Sequence, residues 1–358
     1  MNENRKKSSQ GGNKSQGTAD SVNPDYKPVK KSKISPKEYA GEIMSGNKTL
    51  LSQAITLLES SKPEYRNTGK EILELCLPHS GNSVRIGITG VPGAGKSTFI
   101  EAIGSVILEE GKKVAVLTVD PSSSRSKGSI LGDKTRMPVL SNEENAYIRP
   151  SPTSGTLGGV TLRTREAILL CEAAGYDTIL IETVGVGQSE TVVHSMVDFF
   201  LLIMIAGAGD ELQGIKRGIV EMADMIAINK AEGENVKAAN KAKAEFSNAL
   251  ALFPSPESGW KPKVVTCSAL EATGITEIWS DIKDYVRFTN KNGYFQKRRA
   301  GQAVWWMYQA IETKLKESFY KTAGIREKIH TFEKNVKNGK MSSFEAADKL
   351  LDIYKKER

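Results

Sequence analysis

The chain has 358 residues, 39% hydrophobic and 26% charged, which suits one large α/β domain with appendages and is slightly polar for a globular protein. Its formal charge of +8 belongs to the ends: residues 1–34 carry 8 Lys/Arg against 3 Asp/Glu and residues 291–358 carry 16 against 8, leaving a middle with 26 against 31. That mildly acidic middle, without basic residues clustered among aromatics, argues against a nucleic-acid partner, and the longest apolar run, 199–206, is far too short to span a membrane.

Residues 1–34 are built from Ser, Gly, Asn, Gln and Lys and read as a disordered tail. They hold no apolar signal core and a single arginine, Arg5, which argues against a secretory or mitochondrial leader. Cys76, Cys171 and Cys267 lie far apart with no C-x-x-C spacing, so neither a disulfide framework nor a zinc site is expected, and a reducing, cytoplasmic setting fits. Over 35–80, Tyr39, Ile43, Leu50, Leu51, Ile55 and Leu58 recur at helical spacing, with breaks at Gly46-Asn47 and Pro63; this predicts an N-terminal helical arm.

Residues 81–292 carry six short, partly β-branched apolar runs, at 84–89, 114–119, 178–182, 199–206, 225–229 and 263–267, most of them separated by helix-compatible segments. Such runs are the signature of parallel strands covered on both faces, so the predicted fold is a doubly wound, mostly parallel α/β sheet with functional loops at the strand C-termini. From 293 to 358 the pattern becomes amphipathic helix. Val304, Tyr308, Ile311, Leu315 and Phe319 step by three or four beside Trp305-Trp306, and Phe344, Ala347, Leu351 and Tyr354 share a second stripe. These helices either cap their own domain or form a dimerisation arm.

Chemistry concentrates at the predicted strand ends. After the first run comes Gly90-Val91-Pro92-Gly93-Ala94-Gly95-Lys96-Ser97-Thr98, the G-x-x-x-x-G-K-[ST] pattern whose glycines let successive backbone N–H groups face one anion at a helix N-terminus. Lys96 is then placed for the β- and γ-phosphates and the Ser97 hydroxyl for Mg²⁺. Asp120 and Glu182 end the second and third runs, where magnesium and its waters need oxygen ligands, and Asp133 lies in a loop-like stretch as a further candidate. Gly185 and Gly187 follow Glu182 in a turn able to contact a γ-phosphate and release it, with Gln188 a candidate for orienting water. Asn229-Lys230-Ala231-Glu232 stands where guanine-nucleotide binders carry N-K-x-D; a carboxylate there accepts from guanine N1–H and N2–H₂, which adenine lacks, and here Glu232 replaces Asp. Ser268-Ala269-Leu270, after the sixth run, resembles the loop that packs on the same base.

Taken with Val119-Asp120-Pro121-Ser122-Ser123, Gly128 to Met137, Glu182 to Glu190 and Gly209 to Lys216, the chain closely resembles the MeaB/ArgK family over about residues 36–320. These are GTPase chaperones of adenosylcobalamin-dependent acyl-CoA mutases, also labelled amino-acid transport ATPases. The resemblance implies a Mg²⁺-dependent GTP hydrolase that cycles between bound GTP and GDP, and a homodimer joined through the C-terminal extension. It also implies gated delivery of cofactor to methylmalonyl-CoA mutase or a relative, with protection of that enzyme. By motif match Lys96 and Ser97 take the phosphate and metal roles, Asp120, Asp133 and Glu182 surround the magnesium, and Gln213 and Lys216 belong to an additional switch through which the mutase stimulates hydrolysis. Ser124-Arg125-Ser126-Lys127 departs from the family's usual loop. The alternatives are a kinase or ATPase of an amino-acid transport system, and a metal-delivery GTPase. The latter needs paired Cys/His ligands, whereas His79, His194 and His330 are scattered.

Overall fold

The structure is a computed structural model and describes residues 34–119, 136–151, 157–183, 189–207 and 217–356. Three helices come first: α1 (Pro36–Met44), α2 (Lys48–Glu59) and α3 (Pro63–Cys76). The breaks between them have local causes. The Asn47 side chain accepts from the N–H groups of Thr49 and Leu50, both at 3.1 Å, capping α2, and Pro63 opens α3 where its missing N–H costs nothing.

Seven strands follow: β1 (Val84–Gly90), β2 (Val114–Val119), β3 (Ala146–Ser151), β4 (Thr178–Thr183), β5 (Phe199–Ile205), β6 (Met225–Asn229) and β7 (Lys263–Thr266). They form one sheet in the order β3-β2-β4-β1-β5-β6-β7 with every pairing parallel, the doubly wound α/β class expected. The sequence shows only six of them. β3 escapes notice because Arg149 and Pro150 interrupt its apolar character; it is tolerated as an edge strand, paired only with β2, while Arg149 reaches back to Glu59 of α2 at 2.5 Å.

The remaining helices are α4 (Lys96–Glu109), α5 (Pro138–Asn142), α6 (Leu157–Ala173), α7 (Ser189–His194), α8 (Arg217–Met222), α9 (Val236–Ala251), α10 (Ile275–Lys291), α11 (Tyr294–Lys321), α12 (Ile325–Lys337) and α13 (Ser343–Lys356). Strand residues alternate between two cores. Ile86, Ile88, Val114 and Val116 face Phe99 and Ile103 of α4, Phe246 of α9 and Trp279 of α10. Ala115, Leu117 and Val119 belong to the opposite core with Ile43, Leu51, Ile55 and Ile72 of α1–α3, Ile168 of α6 and Val193 of α7. The N-terminal helices therefore share the sheet's core and have none of their own.

The C-terminal stripe points away from this body. Val304, Tyr308, Ile311 and Leu315 are all about half exposed, and Phe319, which continues the stripe, packs on Tyr354 of α13. The tryptophan pair divides: Trp306 is buried against the body and Trp305 is 39% exposed. Helix α12, which the sequence patterning did not reveal, connects α11 to α13.

Candidate nucleotide site

The site grows from the centre of the sheet. At the end of β1, Gly90 lies so close to β5 that a Cβ would stand 2.1 Å from the Ile203 carbonyl oxygen, and only glycine fits. Gly93 and Gly95 take φ of 77° and 83°, left-handed values that wind the loop back onto the start of α4. Lys96, on the first turn of α4, is 8% exposed and donates to the carbonyl oxygens of Gly90 at 3.0 Å and Val91 at 3.2 Å. Burial pushes its pKa down, and the charges of Glu182 and Glu190 oppose that shift.

Strand pairing supplies the acid. β4 lies beside β1 with Glu182 in register with Ile88, and the Ser97 hydroxyl donates to Glu182 Oε1 at 3.1 Å. Beneath them the Thr183 hydroxyl donates to Thr89 Oγ1 at 2.8 Å in a fully buried bond. Ser97 and Glu182 thus present hydroxyl and carboxylate oxygens side by side, a hard donor set that fits Mg²⁺, which takes few protein ligands and keeps its waters. Among the described residues no cluster of three His, Cys, Asp or Glu side chains could hold a metal by itself.

Pro92, Gly93, Gly95, Lys96, Ser97, Thr98, Glu182 and Lys230 line a single cavity of about 630 Å³ together with Thr118 and Arg136. That is a size suited to a small organic ligand.

The loops after β6 and β7 form the other end. Asn229, 2% exposed, donates from Nδ2 to the Ala94 carbonyl at 2.7 Å, and its Oδ1 accepts from Ala269 N–H at 2.9 Å and from the Cys267 thiol at 3.6 Å. One side chain thereby ties the phosphate loop to both base-end loops. Lys230 has φ of 60°, unusual for a residue with a Cβ, and its carbonyl accepts from Asn235 Nδ2 at 2.6 Å. Ser268 and Ala269 are buried in a tight turn closed by reciprocal Ser268–Thr273 backbone bonds of 3.0 Å, with Leu270 at its exposed tip. Glu232 is half-buried; its Oε2 is shielded from solvent and has no hydrogen-bond partner among the described residues. A buried carboxylate oxygen without a donor is costly, which marks this position for a donor that arrives with a ligand.

Comparison with known proteins agrees with this geometry. The family described as methylmalonyl Co-A mutase-associated GTPase MeaB matches residues 51–323. The chain belongs to the MeaB family. A probable GTPase of Mycobacterium tuberculosis is 48% identical over 314 residues, covering 88% of this chain and 94% of that protein. The mitochondrial methylmalonic aciduria type A homolog of Mus musculus is 46% identical over 327 residues, 88% and 79% of the two chains. The crystal structure of an LAO/AO transport system kinase aligns with a TM-score of 0.70 at 38% identity, covering 89% of this chain and 97% of that one. In enzymatic class the MeaB-family chain is a P-loop GTPase.

Of the residues that the sequence assigned to this MeaB-family site, Asp120, Asp133, Gly185, Gln188, Gln213 and Lys216 lie outside the described residues. Two cavity-lining residues were not singled out in the sequence. Thr118 is a buried strand residue just before Val119-Asp120-Pro121-Ser122, and Arg136 belongs to the stretch ending Lys134-Thr135-Arg136-Met137; in both stretches only the acid drew notice. A guanidinium beside the phosphate loop suits recognition of phosphate oxygens.

Proposed function

We propose that this chain is a Mg²⁺-dependent GTPase that serves as chaperone to an adenosylcobalamin-dependent acyl-CoA mutase, methylmalonyl-CoA mutase or a relative, gating cofactor loading and protecting that enzyme. The observation that carries the guanine part is Glu232. Its buried oxygen, without a partner among the described residues, sits on the loop that Asn229 fastens to the phosphate cradle, and guanine N1–H and N2–H₂ are donors that fit it. The mutase part is supported by the family's description and by the mouse relative's name.

In this reading Lys96 and Arg136 neutralise phosphate oxygens, the P-loop N–H groups orient them, and Ser97 and Glu182, with Asp120 and Asp133 assigned from the sequence, hold Mg²⁺. The ion supplies neutralisation of charge on the β- and γ-phosphates. Gln188, Gln213 and Lys216 are the residues assigned to the hydrolytic step. The protein acts as a homodimer in the cytoplasm, joined through α11–α13. The half-exposed stripe Val304, Tyr308, Ile311 and Leu315 supports that assignment, because so continuous an apolar face on one helix favours a partner. Among the described residues no helix is long and apolar enough to cross a membrane.

The test is phosphate release from GTP and from ATP, each with and without the mutase. Slow hydrolysis of GTP alone, accelerated by the mutase, is the expected outcome; equal use of ATP, or indifference to the mutase, refutes the corresponding half. The second reading, a kinase, draws on the name of the solved LAO/AO structure and requires labelled phosphate to appear on a protein acceptor instead of in solution.

A further inference from the structure

A second cavity opens at the far end of the sheet. Val84, which lines it, begins β1, and the phosphate cradle starts at Gly90 on the other end of that strand, about 20 Å away at the rise of an extended chain. The cavity has a volume of about 540 Å³, within the range of small-molecule sites. One wall is a face of α10, where Trp279, Ile282, Lys283, Val286 and Arg287 recur at the spacing of a single helical stripe. Another is formed by Val84 and Thr178, paired in register at the starts of β1 and β4.

Most of this lining is apolar, and its polar groups are of one kind. Lys112 and Lys283 stand over the Trp279 ring, their Nζ atoms 5.1 and 5.6 Å from its centroid, and both reach the same carboxylate, that of Glu110, at 3.3 and 2.5 Å. Two ammonium groups therefore share one anion. The lining as a whole carries three cations, Lys112, Lys283 and Arg287, against one acid, Asp177; Glu110, and Asp284 which pairs with Arg287, lie outside it. Asp177 is turned to the backbone, its Oδ2 accepting from the Lys113 N–H at 2.8 Å. Thr178 is 1% exposed, and its hydroxyl makes no hydrogen bond among the described residues. The Lys113 carbonyl accepts from the Thr178 N–H at 3.2 Å, which puts that hydroxyl and Lys112 on neighbouring segments. A buried hydroxyl facing a cavity beside an ammonium is a donor set for a carboxylate.

We infer that this cavity is a second ligand site, which takes a small organic acid with an apolar body. The carboxylate accepts from the Thr178 hydroxyl and is held by Lys112 and Lys283, while the body lies against Trp279, Ile282 and Val286. None of these residues lines the nucleotide cavity, so the site and the GTPase reading stand or fall separately.

Calorimetric titration of the full-length protein with sodium 2-naphthoate tests the site. Saturable binding is expected with a Kd of about 0.1–1 mM, and the neutral analogue 2-naphthalenemethanol binds at least about tenfold more weakly. Val286→Trp fills the cavity from a partly buried position on α10 and abolishes binding. Thr178→Val and, independently, Lys283→Gln each weaken it by about threefold or more. An undiminished affinity in Val286→Trp would put the carboxylate elsewhere, in the phosphate cradle for instance, and overturns the inference. So does equal binding of the neutral alcohol, or no saturation of the folded protein up to about 5 mM. Should Val286→Trp not fold, the two milder variants decide the matter, and an unchanged Kd in both rejects the site.

Discussion

Replacing Glu232 by glutamine changes the charge at the base end and almost nothing else. The carboxylate has one buried oxygen, Oε2, with no partner among the described residues, and in the proposed reading the group accepts from guanine N1–H and N2–H₂. Hydrogen bonds to a charged group contribute about 1.5–3 kcal/mol each. Glutamine keeps one neutral acceptor and turns an N–H₂ donor toward a donor, so the loss is about 3 kcal/mol, or roughly a hundredfold in Kd for GDP. Calorimetric titration with GDP and with inosine diphosphate, which lacks the 2-amino group, reads this directly. The wild type prefers GDP by about tenfold or more, and the glutamine variant loses most of that preference. Its nucleotide-free form is no less stable than the wild type, since the shielded Oε2 has no hydrogen bond among the described residues to lose. Glu232→Asp stays within about tenfold of the wild type if the loop follows the shorter side chain. An unchanged GDP affinity together with an unchanged ratio of GDP to inosine diphosphate would refute the assignment of Glu232 to the base.

Arg85 and Glu172 form a buried pair with bonds of 2.8 and 2.9 Å, completed by Ser83 Oγ and Gly81 N–H on the carboxylate. Arg85→Met leaves that carboxylate buried without its cation and costs about 3–5 kcal/mol in urea unfolding, much of which the double variant with Glu172→Met recovers. Gly90→Ala places a Cβ 2.1 Å from backbone oxygen and abolishes nucleotide binding, whereas Gly93→Ala meets nothing within 4 Å and costs about 1 kcal/mol for its left-handed φ. His194 and Asp224 predict opposing pH slopes. Burial lowers the His194 pKa to about 3, so the native state binds fewer protons than the unfolded one and stability is lost as pH falls from about 6.5 to 3. Burial raises the Asp224 pKa to about 6 despite Arg298, so its contribution is present at low pH and is lost as pH rises from about 4 to 6. In urea midpoints measured from pH 4 to 7, His194→Gln flattens the acid loss of stability and Asp224→Asn steepens it; the same slope in both variants would contradict these burial effects.

Much of this was legible in the sequence because the demands are local. A strand that ends in a phosphate cradle needs glycine at set positions, and Gly90, Gly93 and Gly95 stand where the close approach to Ile203 and the positive φ values require them. Parallel strands buried on both faces read as apolar runs, and β1, β2 and β4–β7 did so. An edge strand buries less and can hold Arg149 and Pro150, so β3 carried no such run. The α11 stripe showed in its periodicity, but periodicity reports that a face exists and not where it points. Its outward direction follows from Gln302 and Trp306 anchoring the other side of the helix. Arg136 and Thr118 join the cavity through tertiary placement alone.

The role of Asn229 follows from counting its hydrogen-bonding capacity. An asparagine amide has one acceptor oxygen and two N–H donors. Here the oxygen serves Ala269 N–H and the Cys267 thiol, and one N–H is committed to the Ala94 carbonyl, leaving one donor among the described contacts. A single donor can meet an acceptor such as N7, which guanine and adenine share, so Asn229 cannot by itself tell them apart. Its removal should weaken GDP and ADP alike and loosen the phosphate loop, because a bond between that loop and the β7 turn passes through this one side chain. Discrimination then falls to Glu232, which offers acceptors only. In the proposed reading the tie between base end and phosphate end and the choice of base belong to different residues of one four-residue motif, and Asn229→Ala should lower affinity without changing selectivity, while Glu232→Gln changes both.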